Sequence, residues 1–315
     1  MGLQQVVIGT RGSQLALWQA DWVQAELSAR FPEIIFSQKR ISTTGDKILD
    51  SPLAAIGDRG LFVKEIELAL ENGEIDLAVH SMKDVPTSLP PKLKISAITR
   101  REDPRDVLIS AKWRGLFDLP PGARVGTSSL RRIAQLKAVR PDLVFEPIRG
   151  NIGTRLRKLS ELELDAVILA AAGVLRLGLA DQITEYLPFE VSLPAVGQGA
   201  LGIETRADDE RIIELVQTLH DPATAACVEA ERAFLAQLEG GCQVPIGALA
   251  QVDGDEVHLA GVIASVDGAR VFRGYERGPV AEAARVGEAL GRKLRQEGAQ
   301  SVLDELRQLK ERDDA

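Results

Sequence analysis

The feature that most constrains this chain is an alternation of strand-like and helix-like segments that fills its first two thirds and then stops. Residues 6–10 are a short β-branched run. Ser13 stands where it can cap a helix reaching Leu27, with Leu15, Trp18, Trp22 and Leu27 as a rough apolar stripe. Residues 61–70 set Phe62, Ile66 and Leu70 four apart, and residues 75–80 read as a strand again. Parallel strands must be joined by a crossover, usually a helix, so repeated units of this kind predict an α/β fold with a mostly parallel sheet.

A second set follows Pro104. Residues 124–126 read as a strand, with Ser128 or Ser129 capping a helix to about Val139. Residues 143–148 form a strand, 153–159 open a helix, and 166–169 read as a buried strand. Residues 99–106, charged and interrupted by proline, and residues 191–202, rich in Pro and Gly, look like crossings between the two sets, with 201–204 a strand that returns to the first. The last third differs. Residues 223–238 are helical, 257–265 and 270–275 flank an Asp267-Gly268 hairpin signal, and two amphipathic helices follow at about 280–296 and 299–311. A prior of about 150 residues per domain allows two or three domains here. The changes of pattern place three: residues 1–100 with 200–218, residues 101–199, and a small α+β domain over 219–315.

The formal net charge of −8 disfavours a nucleic acid or an anionic membrane as partner. Its distribution says more. Between Gly126 and Arg176 nine basic residues stand against five acidic ones, a net +4 inside an acidic chain, which suggests a focused anion site. Arg11 and Lys83 each follow a strand. Arg131 and Arg132 fall in the first turn of a helix, Arg149 ends a strand, Arg155 opens the next helix, and Arg176 follows the 166–170 run. In doubly wound sheets the carboxyl ends of the strands line the binding crevice, and helix N-termini there add N–H donors, with Ser13, Thr127, Ser128 and Ser129 as further donors. Any one of these arginines alone is most simply solvated surface. An arginine in a first turn opposes the helix dipole, however, and five strand ends carrying a cation point to a ligand rich in carboxylates, which guanidinium groups bind bidentately. Lys137, Arg140, Arg157 and Lys158 lie further along their helices and read as surface.

Cys242 lies in LEGGCQVP, just past a helix end, where two glycines set the thiol on a tightly turned loop. Cys227 shares a helical face with Ala230, Phe234 and Leu238 and reads as core. Lys83 and Asp84 lie beyond a strand end. Asp84 is either a surface turn residue before Pro86 or a carboxylate that accepts N–H groups and stabilises developing positive charge. GQGALG at 197–202 matches G-x-G-x-x-G, but a proline precedes it and a strand follows, so dinucleotide binding is rejected. His80, His220 and His258 are scattered, and no metal is expected. No secretory signal pattern is visible, and the longest apolar stretch, 166–175, is far short of the ~18 residues a spanning helix needs. A cytoplasmic protein with no membrane partner is expected. No apolar seam calls for a dimer, so a monomer is expected too.

The motifs combine in order along nearly the whole chain: Arg11 with Ser13, GDRGLF (57–62), AVHSMKDVP (78–86), REDPRD (101–106), GTSSLRR (126–132), RGNIGTR (149–155), LAAAGVLR (169–176), LPAVGQG (193–199) and EGGCQVP (239–245). Together they closely resemble the porphobilinogen deaminase (hydroxymethylbilane synthase) family. The resemblance implies two periplasmic-binding-protein-like (type II) domains with a cleft between them, plus a small C-terminal α+β domain carrying the cysteine. It implies a transferase of tetrapyrrole biosynthesis that condenses four porphobilinogen molecules head to tail, releases ammonia and hydrolyses the product to hydroxymethylbilane. It implies a dipyrromethane cofactor held as a thioether on Cys242.

By the same match, Asp84 would hold pyrrole N–H groups and stabilise the cationic azafulvene left by loss of ammonia. Lys83, Thr127, Ser129, Arg131, Arg132 and Arg155 would bind the cofactor, with Gly173 letting backbone approach a ring. Arg11, Ser13, Arg149, Arg155 and Arg176 would bind substrate, and Gln19 and Phe62 would line the pocket. Ala55 and Arg59 depart from the lysines that many members carry before Gly60. Two other readings stay open here. A two-lobed solute-binding protein would need the arginines but neither Cys242 nor Asp84, and a dehydrogenase would use 197–202.

Overall fold

A computed structural model describes residues 4–43, 63–238 and 244–313. In chain order the regular elements are β1 (Gln5–Thr10), α1 (Gln14–Arg30), β2 (Ile35–Arg40), α2 (Lys64–Glu71), β3 (Leu77–Ser81), β4 (Leu93–Ile98), β5 (Asp106–Ile109), β6 (Arg124–Gly126), α3 (Leu130–Val139), β7 (Val144–Glu146), α4 (Ile152–Glu161), β8 (Ala166–Ala170), α5 (Ala171–Arg176), β9 (Glu185–Tyr186), β10 (Leu201–Arg206), α6 (Glu210–Gln217), α7 (Pro222–Gln237), β11 (Ile246–Asp253), β12 (Glu256–Ala264), β13 (Val271–Pro279), α8 (Ala283–Leu294) and α9 (Gln300–Asp313).

Among the described residues the strands form three sheets. The first has the order β2-β1-β3-β10-β4 and the second β7-β6-β8-β5-β9. In the first, β1 pairs in parallel with β2 and β3, while β10 runs antiparallel between β3 and β4. In the second, β6 pairs in parallel with β7 and β8, while β5 runs antiparallel between β8 and β9. Each sheet therefore carries one reversed strand in the same place, delivered from the other set by a crossing. These are two type II periplasmic-binding-protein-like lobes. The third sheet, β11-β12-β13, is an antiparallel meander. One side of it is covered by α7, α8 and α9 around Phe234, Leu290 and Leu294.

Several elements differ from the sequence reading. Strand β2 was not anticipated, because only Phe36 of its six residues is fully buried. Helix α1 buries Ala16, Ala20, Val23 and Leu27; of the expected stripe, Trp22 packs against this lobe's core, while Leu15 lines the cleft and Trp18 stands beside Arg176 of the second lobe. Strand β11 adds a third strand beside the expected hairpin, joined to β12 through Gly254 at φ +58°. The hairpin at 267–268 forms as expected, with Gly268 at φ +73°. Helices α8 and α9 are separated by a kink at Gly298, φ +115°.

The two crossings lie side by side. Thr99 N donates to Leu201 O (3.0 Å), Glu102 N to Gly199 O (3.1 Å), and Arg101 Nε to Gln198 O (2.8 Å). This contact explains the G-x-G-x-x-G spelling without a nucleotide. Gly199 has φ +93°, and a Cβ there would stand 2.4 Å from Glu102 O, while a Cβ on Gly202 would stand 2.3 Å from Met82 Sδ. Strand β10, not a helix, follows.

Candidate active site

The carboxyl ends of β1, β2, β3 and β8 converge on one cavity of about 750 Å³ between the two lobes. Among the described residues its walls carry seven cations, Arg11, Arg40, Lys83, Arg132, Arg149, Arg155 and Arg176, and one acidic residue, Asp84. Ser13, Gly173, Ser81, Asn151, Gln198 and Gly199 line it as well.

Local structure fixes these groups. Ser13 caps α1, its hydroxyl accepting from Ala16 N at 3.3 Å, and so sets Arg11 and Gly12 at the mouth. Residues 82–84 make a single 3-10 turn after β3, which turns Lys83 into the cavity while Asp84 remains solvent-exposed. Asn151 caps α4 by accepting from Thr154 N (2.9 Å), and Arg155 one turn on donates from Nε to Gly150 O (2.8 Å). Arg176, at the end of α5, donates to Gly199 O (2.7 Å) and stands 5.7 Å from the Trp18 ring on the other lobe. A Cβ on Gly173 would fall 2.7 Å from Ile152 Cδ1, so a larger residue there would push that side-chain tip aside.

The other expected site residues lie elsewhere. Gln19 is buried behind the wall and donates to Ser81 Oγ (2.9 Å). Thr127 is buried and accepts from Ser129 N (3.2 Å). Ser129 holds the N-cap position of α3 without a side-chain cap bond, while Ser128 Oγ donates to Ile148 O (2.8 Å). Arg131 does not line the cavity: its guanidinium is taken up by Asp106 (2.7 Å) and Leu193 O (2.6 Å). Cys242, Phe62, Ala55 and Arg59 lie outside the described residues. Arg40 and Asn151 were missed. Arg40 closes β2 beside Thr10, one residue before Arg11 on the neighbouring strand, and reading β2 would have found it.

Burial perturbs the cations of the wall, and crowding of like charges adds to it at Lys83 and Arg155. Burial pushes Lys83 down to about 8, with Arg132 and Arg131 acting the same way and Asp84 and Asp106 opposing. Burial likewise pushes Arg155 down to about 10, reinforced by Arg132 and Arg149 and opposed by Asp84. Arg176 is pushed down by burial to about 10, with Glu102 opposing. Cys227, in the core of the small domain, is pushed up to about 11 by burial and by Glu231, so its thiol stays protonated and unreactive.

Residues 6–214 match the family described as "Porphobilinogen deaminase, dipyromethane cofactor binding domain", and residues 225–296 match "Porphobilinogen deaminase, C-terminal domain". The chain belongs to the porphobilinogen deaminase family. It is 58% identical over 310 residues to the porphobilinogen deaminase of Geobacter metallireducens, covering 98% of this chain and 96% of that one. To the porphobilinogen deaminase of Carboxydothermus hydrogenoformans it is 55% identical over 304 residues, 96% and 98% of the two chains. Among solved structures, a methionine-binding lipoprotein of Bacillus subtilis described as putative aligns at 15% identity and TM-score 0.44, over 69% of this chain and 91% of that one. Membership of the porphobilinogen deaminase family makes the chain a transferase of tetrapyrrole biosynthesis with a dipyrromethane cofactor.

Proposed function

We propose that this chain condenses porphobilinogen head to tail, four molecules in all, onto a dipyrromethane primer held by Cys242, releasing ammonia at each step, and then hydrolyses the product to hydroxymethylbilane. The observation that carries the reading is the cavity wall of seven cations around Asp84. Each porphobilinogen unit brings two carboxylates, so a cofactor with substrate needs many cations in one place. Their burial and mutual repulsion cost free energy that a polycarboxylate offsets, each charged hydrogen bond contributing about 1.5–3 kcal/mol.

The cavity fits the cofactor in charge and in its glycine-lined wall. Lys83, Arg132, Arg155 and Gly173 are our assignment for holding it, with Thr127, Ser129 and Arg131 supporting that wall from behind. A dipyrromethane there supplies an anchored pyrrole to which the next ring is joined. Arg11, Ser13, Arg149, Arg155 and Arg176 orient the incoming carboxylates and Gln19 braces Ser81; Phe62, by its match to the family, is our further assignment to substrate binding. Asp84, set among the cations of the wall, accepts the pyrrole N–H and stabilises the positive charge that develops as ammonia leaves.

The proposal extends to the three domains 1–100 with 200–218, 101–199 and 219–315, and to a cytoplasmic monomer acting on a small molecule, without nucleic acid or membrane. A reducing compartment suits a working thiol. No helix of the described residues is long and apolar enough to cross a membrane. Intact-mass measurement of the purified chain tests the reading: the expected result is an adduct of two pyrrole units that is absent from Cys242→Ser. A chain without adduct that also leaves porphobilinogen unconsumed sinks it.

A further inference from the structure

We propose that Asp106 is the positioning residue of the cationic wall: one buried carboxylate holds Arg132 ready for a ligand carboxylate and fixes it to the returning crossing. The inference rests on reading the cleft as a polycarboxylate site.

Asp106 is the first residue of β5, fully buried, and does not itself line the cavity. Its Oδ1 accepts from Arg132 Nη2 (2.7 Å), Arg132 Nε (3.0 Å) and Gln198 Nε2 (3.0 Å). Its Oδ2 accepts from Arg131 Nη1 (2.7 Å) and Ser192 Oγ (2.9 Å). Arg132 Nη1 donates further to Ile168 O (2.8 Å). Three of the five guanidinium N–H groups are thus turned into the protein, which fixes the plane of the group, and the remaining edge serves the cavity that Arg132 lines. The rotamer freedom of a long side chain is lost on folding instead of on binding.

The carboxylate has a second role. Arg131 and Arg132 are adjacent and both buried, an arrangement that repulsion alone would break. Burial by itself would raise Asp106, but the two arginines more than offset it and hold the carboxyl well below the usual range. The group therefore stays anionic and leaves the cluster with a single net positive charge. Ser192 and Gln198 belong to the returning crossing, while Asp106 closes the outgoing one. Arg132 is consequently set relative to both.

The test is Asp106→Asn, purified as holoprotein beside wild type. Intact mass is expected to show a several-fold lower fraction carrying the dipyrrole adduct. The alkaline limb of activity is expected to move to lower pH, because Lys83, faced by Asp84, Arg132, Arg131 and Asp106, loses one of its two carboxylates. A general packing defect would not move that limb. Should the single variant fail to fold, Asp106→Asn with Arg131→Gln removes one anion and one cation together; there the adduct is expected to fall while the limb returns toward wild type. Wild-type adduct occupancy and an unmoved limb in the folded variant overturn the inference, as does wild-type occupancy in the double variant. A wild-type chain with no adduct and no turnover overturns the functional reading beneath it instead.

Discussion

Arg101 and Glu231 meet at 2.5 Å where the outgoing crossing touches the small domain, and the carboxylate is wholly buried. Glu231 also accepts from Gly197 N (2.7 Å) and Ala250 N (2.8 Å), so one side chain joins α7, β11 and both crossings. Removing one partner of a buried pair typically costs about 3–5 kcal/mol. Arg101→Ala is expected to lose that much, seen by calorimetry as a Tm lower by roughly 5–8 °C. Arg30→Ala, which breaks the exposed pair with Glu26, is expected to change stability by less than about 1 kcal/mol.

Asp84 is exposed and makes its case through chemistry, not packing. Asp84→Ala is expected to lower kcat at least ~100-fold while melting within a degree or two of wild type. Turnover near the wild-type rate would remove Asp84 from its assigned role.

Lys83 gives two opposite pH dependences. Its folded value of about 8 lies below its ordinary 10.5. Between those limits the unfolded chain binds a proton that the folded chain does not, so this group makes the ligand-free protein more stable as pH rises through that window. Below 8 both states are protonated and the cost of the buried charge is fully present. Affinity for an anionic ligand runs the other way, falling as Lys83 is neutralised above 8. KM measured from pH 7 to 9.5 is expected to rise, and the rise is expected to flatten in Lys83→Arg.

Gly199→Ala places a Cβ 2.4 Å from Glu102 O at φ +93°. Backbone on both crossings must shift, and a cost above about 2 kcal/mol is expected from strain and the lost Glu102–Gly199 bond. Thermal melting checks this, and an unchanged Tm would show that the crossings separate freely.

Much of this arrangement is legible in the sequence because it depends on strand ends. Arg11, Lys83, Arg149 and Arg176 were read as cations following strands, and all four line one cavity. Strand β2 escaped because it buries a single side chain, and Arg40 escaped with it. The stripe of Leu15, Trp18, Trp22 and Leu27 suggests one core face, yet Trp22 and Leu27 pack on the lobe's own core while Leu15 and Trp18 face the cleft and the opposite lobe; apolar periodicity does not say which partner covers a side chain. Asp106 gives no local sign of its role, since its donors lie 25 to 92 residues away in sequence.

The reversed strands also set the order in which the lobes can be finished during synthesis. Every strand of the second sheet lies between residues 106 and 186, so that lobe has all its strands once Tyr186 has left the ribosome. The first sheet begins at Gln5 but has a gap between β3 and β4 until residues 201–206 arrive to fill it. The earliest part of the chain to be made is therefore among the later parts to close, and the nascent first lobe waits with an open slot while its neighbour matures.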